Sequence, residues 1–321
     1  MSAGANKFPI LFLGGAKRVS VGRMLEKAFA DRGYEARFFS YEIDPRVPVA
    51  CMARVVQGLR WSDPAIYDDL ARVVDEFGIR MIVPFVDGAV DVAATFVERN
   101  PAAGVFLPGA DAARARTMFD KVEAARVFEE LGLPVPPTWR PGEPACFPLI
   151  AKPRRGSASK GISVIDGPEA LGALEGRMYD YIVQRYIADR EEISVDCYVS
   201  VRSGEVLAVS PRRRIETLGG EAVRSITVDS PRAEALVRRT LEATGLRGAV
   251  TVQLICDRAA DELMIMEINP RLGGGVVCSI GAGADIPGMI ADEALGLTPS
   301  PSAAVPGTEM CRYFQEVIFK P

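Results

Sequence analysis

Two neighbouring apolar segments near the end of the chain, residues 251–256 (TVQLIC) and 262–271 (ELMIMEINPR), carry polar side chains at spacings that could do chemistry. Both read as strands, and side chains two apart on a strand share a face. Glu267 and Asn269 therefore point the same way, and Met264, Met266 and Ile268 are expected on the other side. If the two strands pair as a hairpin, Gln253 falls opposite them. One carboxylate and two amide oxygens are hard ligands of the kind magnesium takes when phosphate oxygens complete its shell. Pro270 ends the strand, and Arg271 follows where it could hold a phosphoryl oxygen. The same residues also suit a buried polar pair in a surface hairpin.

A second group lies in residues 149–165 (LIAKPRRGSASKGISVI). A strand delivers Lys152 in an apolar setting, and the loop after it, with Gly156, Ser157, Ser159 and Gly161, can fold over phosphates through its backbone amides. The Walker order of glycines and lysine is absent, and a flexible hairpin tip is the plainer reading. A third group, residues 181–199, places an acidic break between two strands, where backbone at Tyr186 and Ile187 could read an adenine edge and Glu192 a ribose; a charged turn explains it equally. Arg212 and Arg214 share one face of a strand-like segment, with Arg213 on the other. Gly273, Gly274 and Gly275 would let backbone amides approach an anion closely.

Composition narrows the chemistry. The 321 residues include no histidine, which removes imidazole acid/base catalysis, imidazole metal ligation and serine or cysteine triads together. Carboxylates, lysines, arginines, backbone amides and an oxygen-bound metal remain. The net charge of −4, with basic and acidic residues interspersed, argues against nucleic acid as a partner. Six cysteines without a C-x-x-C pair suit reduced thiols, and no apolar run approaches the ~20 residues of a spanning helix. The expectation is a cytoplasmic protein without a membrane segment.

The elements that must position these groups fall into two styles. Up to about residue 111, apolar runs at 9–15, 35–40, 81–85 and 104–107 alternate with amphipathic stretches at 19–32, 64–77 and 88–98, which predicts a parallel sheet wound on both sides. FLGGAKR (12–18) supplies only a diglycine after a strand, too little for dinucleotide binding. One or two helices over 112–131 carry Lys121, and the proline-rich segment after them is an extended linker. Closely spaced strands at 148–152, 162–165, 181–184, 193–199 and 206–209 then give an α+β region with antiparallel character. Helices are expected over 233–244 and 287–295.

In order and spacing these pieces resemble the ATP-grasp superfamily, and within it the branch similar to the synthetase domains of the carbamoyl phosphate synthase large subunit. The resemblance implies a Rossmann-like lobe (1–111), a small lid subdomain (112–188) and a catalytic subdomain (189–321). It implies ATP bound by Lys121, Lys152, Gly156, Ser157, Ser159 and Gly161 at the phosphates, by Gln184, Tyr186 and Ile187 at adenine, and by Glu192 at ribose. Gln253, Glu267 and Asn269 would hold two magnesium ions, which manganese could replace. Arg271, Arg212 and Arg214 would meet the transferred phosphoryl group, Arg18 would help enclose the second substrate, and Gly273, Gly274 and Gly275 would cradle a substrate carboxylate. The implied reaction is carboxylate–amine ligation through an acyl phosphate, on small-molecule substrates, with a homodimer as the default assembly. Two alternatives stand beside it: a kinase that stops at the acyl phosphate, and a nucleotide-binding regulator without turnover. The residues around the ribose glutamate depart from the usual pattern, leaving Glu191 and Glu192 as rivals.

Overall fold

The computed structural model describes residues 6–156, 160–174, 176–219 and 221–320. The first lobe holds β1 (Asn6–Leu13), α1 (Val19–Ala30), β2 (Tyr34–Glu42), β3 (Arg54–Gln57), α2 (Ile66–Phe77), β4 (Met81–Pro84) and α3 (Asp87–Arg99). Its sheet is parallel, in the order β3-β2-β1-β4. Alternation along β1 explains why both faces are covered: Phe8, Ile10 and Phe12 enter the core under α1, and Leu11 and Leu13 the core under α2 and α3. Burying Val21, Leu25 and Phe29 of α1 stabilises this packing by roughly 1.5–3 kcal/mol per side chain.

Residues 104–107 do not form the expected strand. Phe106 makes one parallel bridge to Met81, and Pro108, which has no amide to continue a ladder, turns its carbonyl to the amide of Ala249 in the second lobe. The helical stretch that follows is two helices, α4 (Ala112–Phe119) and α5 (Lys121–Glu130). Asp120 has extended backbone (φ −99°, ψ 100°) and caps α5 by accepting from the Glu123 amide at 3.2 Å, so the break is a true N-cap.

The small sheet that follows is antiparallel, in the order β6-β5-β7, from β5 (Leu149–Pro153), β6 (Ser163–Ile165) and β7 (Tyr181–Arg185), with the short α6 (Pro168–Gly172) between the last two. The remaining strands are β8 (Arg190–Val199), β9 (Val206–Leu218), β10 (Glu221–Thr227), β11 (Gly248–Asp257), β12 (Glu262–Asn269) and β13 (Glu309–Cys311). They form one antiparallel sheet ordered β12-β11-β8-β9-β10-β13. α7 (Pro231–Thr244) packs on one face through Val237 and Leu241. α8 (Val276–Gly281) and α9 (Ile286–Leu295) cover the other, where Met289 and Ile290 join the core of the first lobe. β10, β13 and α8 have no counterpart in the sequence reading. Among the described residues no helix is long and apolar enough to cross a membrane.

Candidate active site

A cavity of ≈ 320 Å³ lies between the small sheet and the six-stranded sheet, and a second of ≈ 280 Å³ adjoins it, with Arg214, Gln253 and Glu267 lining both. On the small sheet, Leu149 and Ala151 of β5 point into its core, so the alternate side chains Ile150 and Lys152 face the first cavity. The Lys152 ammonium donates to Gln184 Oε1 at 3.1 Å, and Gln184, buried, donates in turn to the carbonyl of Pro136 at 3.2 Å. Burial pushes the Lys152 pKa down; Glu267 opposes this and Lys121 adds to it. An ammonium held this way gains when an anion arrives.

Lys121 opens α5, and the structure ties that helix end to the loop after β5. Its amide donates to the carbonyl of Arg154 (3.0 Å), its ammonium to the carbonyl of Gly156 (2.8 Å), and Arg154 pairs with buried Asp120 at 2.7 Å. Gly156 and Lys160 line the cavity, while Ser157 and Ser159 lie outside the described residues. Gly161 has φ +72°, and a Cβ there would stand 2.9 Å from Pro153, so this turn requires glycine.

The connector between β7 and β8 forms the end wall. The Tyr186 amide is spent on the carbonyl of Pro148 at 3.1 Å. Arg190 lies over the Tyr186 ring, 5.4 Å from its centroid, and donates to the Ile187 carbonyl at 3.1 Å, which fixes the connector's path. Glu192 lines the cavity and pairs with Arg190 and Arg214; Glu191 faces away, to Arg213 and Arg258. Of the two rivals, Glu192 lines the cavity and Glu191 does not. Gln184, expected at adenine, has its side chain on Lys152 and does not line this cavity.

The floor comes from β11 and β12. Gln253 pairs with Glu267 and Thr251 with Asn269, and the Asn269 amide donates to Glu267 Oε1 at 3.1 Å, so the three oxygen-bearing side chains gather as the spacing suggests. One expectation fails. The register slips between Gln253 and Leu254, so that Met266 is an extra, bulged residue: Ile265 and Ile268 enter the core, whereas Met264 and Met266 pack with Ile187 and Ile255 on the cavity side. The bulge puts an apolar surface and the acidic group next to each other on one face. Among the described residues no three His, Cys, Asp or Glu side chains cluster. Glu267, Asn269 and Gln253 could hold magnesium only with ligand oxygens completing its shell, and that donor chemistry fits the ion.

The second cavity is lined by charged pairs that join the lobes. Arg271 donates to Asp87 at 2.9 Å and to Asn269 Oδ1 at 3.2 Å; Arg18 pairs with Glu221 at 3.1 Å. Arg212, buried, pairs with buried Asp196 at 2.7 Å, and Asp196 also accepts from Ser279 and Thr251. A Cβ on Gly275 would meet the Arg212 guanidinium at 2.4 Å, and one on Gly273 would meet Thr251 Oγ1 at 2.7 Å, so these glycines admit neighbouring side chains. The Gly273 amide is taken by Thr251, and the Gly274 carbonyl accepts from Arg312.

Asp87, Arg190, Asp196 and Glu221 are site residues the sequence reading missed. Only Asp196 carried a signal, as an acid inside an apolar strand that must find a partner. In the first lobe the buried Glu42 carboxyl accepts from Ser40 at 2.7 Å and lies beside the diglycine turn, near the amides of Gly15 and Ala16. Burial raises its pKa, and the Ser40 hydroxyl and the nearby Gly15 and Ala16 amides hold it back.

Residues 177–316 match the family model described as ATP-grasp in the biosynthetic pathway with Ter operon. A formate-dependent phosphoribosylglycinamide formyltransferase from Azotobacter vinelandii is 26% identical, over 63% of this chain and 55% of its own length, so the chain spans about half of that curated relative. N5-carboxyaminoimidazole synthetase from Staphylococcus aureus, complexed with ADP, superposes with a TM-score of 0.72 at 16% identity, over 94% of this chain and 81% of that one. Biotin carboxylase from Campylobacter jejuni gives 0.69 at 18% (91% and 72%), and L-amino acid ligase from Bacillus licheniformis 0.67 at 17% (91% and 75%). At these identities the structural likeness is one of fold.

Proposed function

We propose, from the premise that this chain is an ATP-grasp protein, that it is an ATP-dependent carboxylate–amine ligase working through an acyl phosphate. One observation carries the reading: Glu267 and Gln253 line a cavity shared with Lys152 and Lys121, and Asn269, hydrogen-bonded to Glu267, lines the adjoining cavity. In this reading the domains are 1–111, 112–188 and 189–321, and the protein is cytoplasmic. The motif Gln…Glu-x-Asn-Pro-Arg favours the branch like carbamoyl phosphate synthase.

Adenine lies against Ile255 and Met266 by the backbone of Tyr186 and Ile187, and Glu192 takes the ribose hydroxyls. Lys121, Lys152 and the loop at 156–161 hold the phosphates; Gln184 positions Lys152. Two magnesium ions, replaceable by manganese, supply charge neutralisation and alignment of the phosphates when bound at Glu267, Asn269 and Gln253. The substrate carboxylate attacks the γ-phosphorus and ADP leaves. Arg214 and Arg271 stabilise charge on the transferred group, because phosphoryl transfer needs alignment and electrostatics more than covalent help. An amine then displaces phosphate, giving the amide, and its proton goes to the departing phosphate or a site carboxylate. No step calls for an imidazole.

Screening acid and amine pairs for ADP release, with hydroxylamine as a trap, tests this. Hydroxamate formed with ATP and acid alone marks the acyl phosphate, and amide formed with amine marks the ligase. Glu267→Gln keeps the side chain's shape and should remove nearly all turnover from a folded protein; full activity in that variant would sink the metal assignment. Acid-dependent ADP release without amide under every amine would leave the kinase.

A further inference from the structure

Arg212 and Arg214 occupy the same face of β9 two residues apart, but their surroundings differ. Arg214 lines both cavities, whereas Arg212 lines only the second. At the rise of a strand the two positions are about 7 Å apart, with Arg214 at the nucleotide end. Arg212 is only 3% exposed, its Nε donates to Asp196, and its Nη1 has no hydrogen-bond partner among the described residues. A buried guanidinium N–H left without an acceptor costs free energy unless a ligand completes it. Gly275 lies against that guanidinium with no room for a Cβ. Arg212 thus lines the second cavity with one guanidinium N–H that has no acceptor among the described residues.

We propose that the acid substrate carries a second anionic group, and that Arg212 is the specificity residue that binds it while the first carboxylate is activated beside Arg214 and Arg271. This rests on the ligase reading of the site. Arg212 does not line the first cavity, where the nucleotide is proposed to lie. Its pairing with Asp196 fixes the guanidinium in place before the substrate arrives, and Ser279 and Thr251 hold Asp196 in turn. The spacing of the two arginines suits carboxylates separated by a few carbons, and an acid of the same length with one carboxylate leaves Nη1 unpaired.

Glutarate and valerate, equal in chain length and different by one carboxylate, are the probes, titrated calorimetrically with Mg2+ and a non-hydrolysable ATP analogue filling the first cavity. Glutarate should bind at least roughly tenfold more tightly, as one charged hydrogen bond implies. Because removing one partner of a buried pair can unfold a protein, the variant is Arg212→Met together with Asp196→Asn. The glutarate preference should fall to near one in it, with the analogue's Kd unchanged. Gly275→Ala, which drives a methyl into the guanidinium, gives an independent variant with the same expected loss. Equal binding of the two acids by the parent, a preference that survives both variants, or a loss of analogue affinity in the double variant would each overturn the proposal. The two readings fail separately. Discrimination in binding without ADP release for any acid keeps the anchor and removes the ligase; ADP release with valerate as readily as with glutarate does the reverse.

Discussion

Lys152 is the residue whose replacement separates binding from folding most cleanly. It sits among apolar neighbours with its pKa pushed down by burial, donates to Gln184 at 3.1 Å and is drawn toward Glu267. With the phosphates placed as proposed, Lys152→Met removes one charge-assisted hydrogen bond, about 1.5–3 kcal/mol, or roughly 10- to 150-fold in Kd. Stability moves little: Gln184 Oε1 loses a partner, a net loss of about 1 kcal/mol, offset because a desolvated ammonium is replaced by an apolar side chain of similar volume. The protonation behaviour gives a second readout. In the free protein the pKa lies below the ordinary lysine value, and phosphate restores it, so binding takes up a proton between those two values. Affinity should therefore fall as pH rises through the lowered value. The unfolded chain, with an ordinary lysine, binds more protons than the folded one in the same window, so this residue's contribution makes the free protein more stable as pH rises there. Titration of Mg2+ and the ATP analogue in two buffers of different ionisation enthalpy, at a pH between the lowered and the ordinary lysine values, measures the uptake directly. In Lys152→Met the uptake should vanish, the Kd rise by the stated factor and the Tm stay within a few degrees. A Kd within threefold of the parent, or unchanged proton uptake, would refute the reasoning.

Three further substitutions test other parts of the site. Glu192→Gln should weaken ATP by roughly tenfold and abolish discrimination against 2′-deoxy-ATP, measured by competition binding; preserved discrimination would move the ribose elsewhere. Asp87→Asn frees Arg271 from its partner in the first lobe and should raise KM for the acid about five- to tenfold with the nucleotide Kd unchanged, since the pair is only partly buried. Glu42→Ala strips the acceptor from the Ser40 hydroxyl and should cost about 1–3 kcal/mol in urea unfolding followed by Trp61 fluorescence, and an unchanged midpoint would mean that hydroxyl has another partner.

The parts legible in the sequence are those set by local period. Alternation in β1 gave a strand with two buried faces, and the two-residue spacing of Glu267 and Asn269 gave their shared direction. The bulge at Met266 was illegible, because periodicity assumes an unbroken pleat and one inserted residue sends Met264 and Met266 to the side opposite the one the alternation assigns. Gln184 escaped for a different reason: its role depends on Lys152, 32 residues away and on the neighbouring strand. The Arg271–Asp87 pair spans 184 residues and two lobes, and nothing near either residue announces the other. Short elements such as β13 exist only because a neighbour supplies the other half of the ladder.

The Glu42 carboxylate gives the first lobe a character that its outline conceals. A strand, a diglycine turn and a helix would ordinarily make a socket for a phosphate, but here the chain has set its own carboxyl side chain beside that turn. Any nucleotide would have to evict a side chain already seated and hydrogen-bonded to Ser40. Adding glycines to this turn would therefore leave its space filled, because the obstacle is the Glu42 side chain and not the backbone.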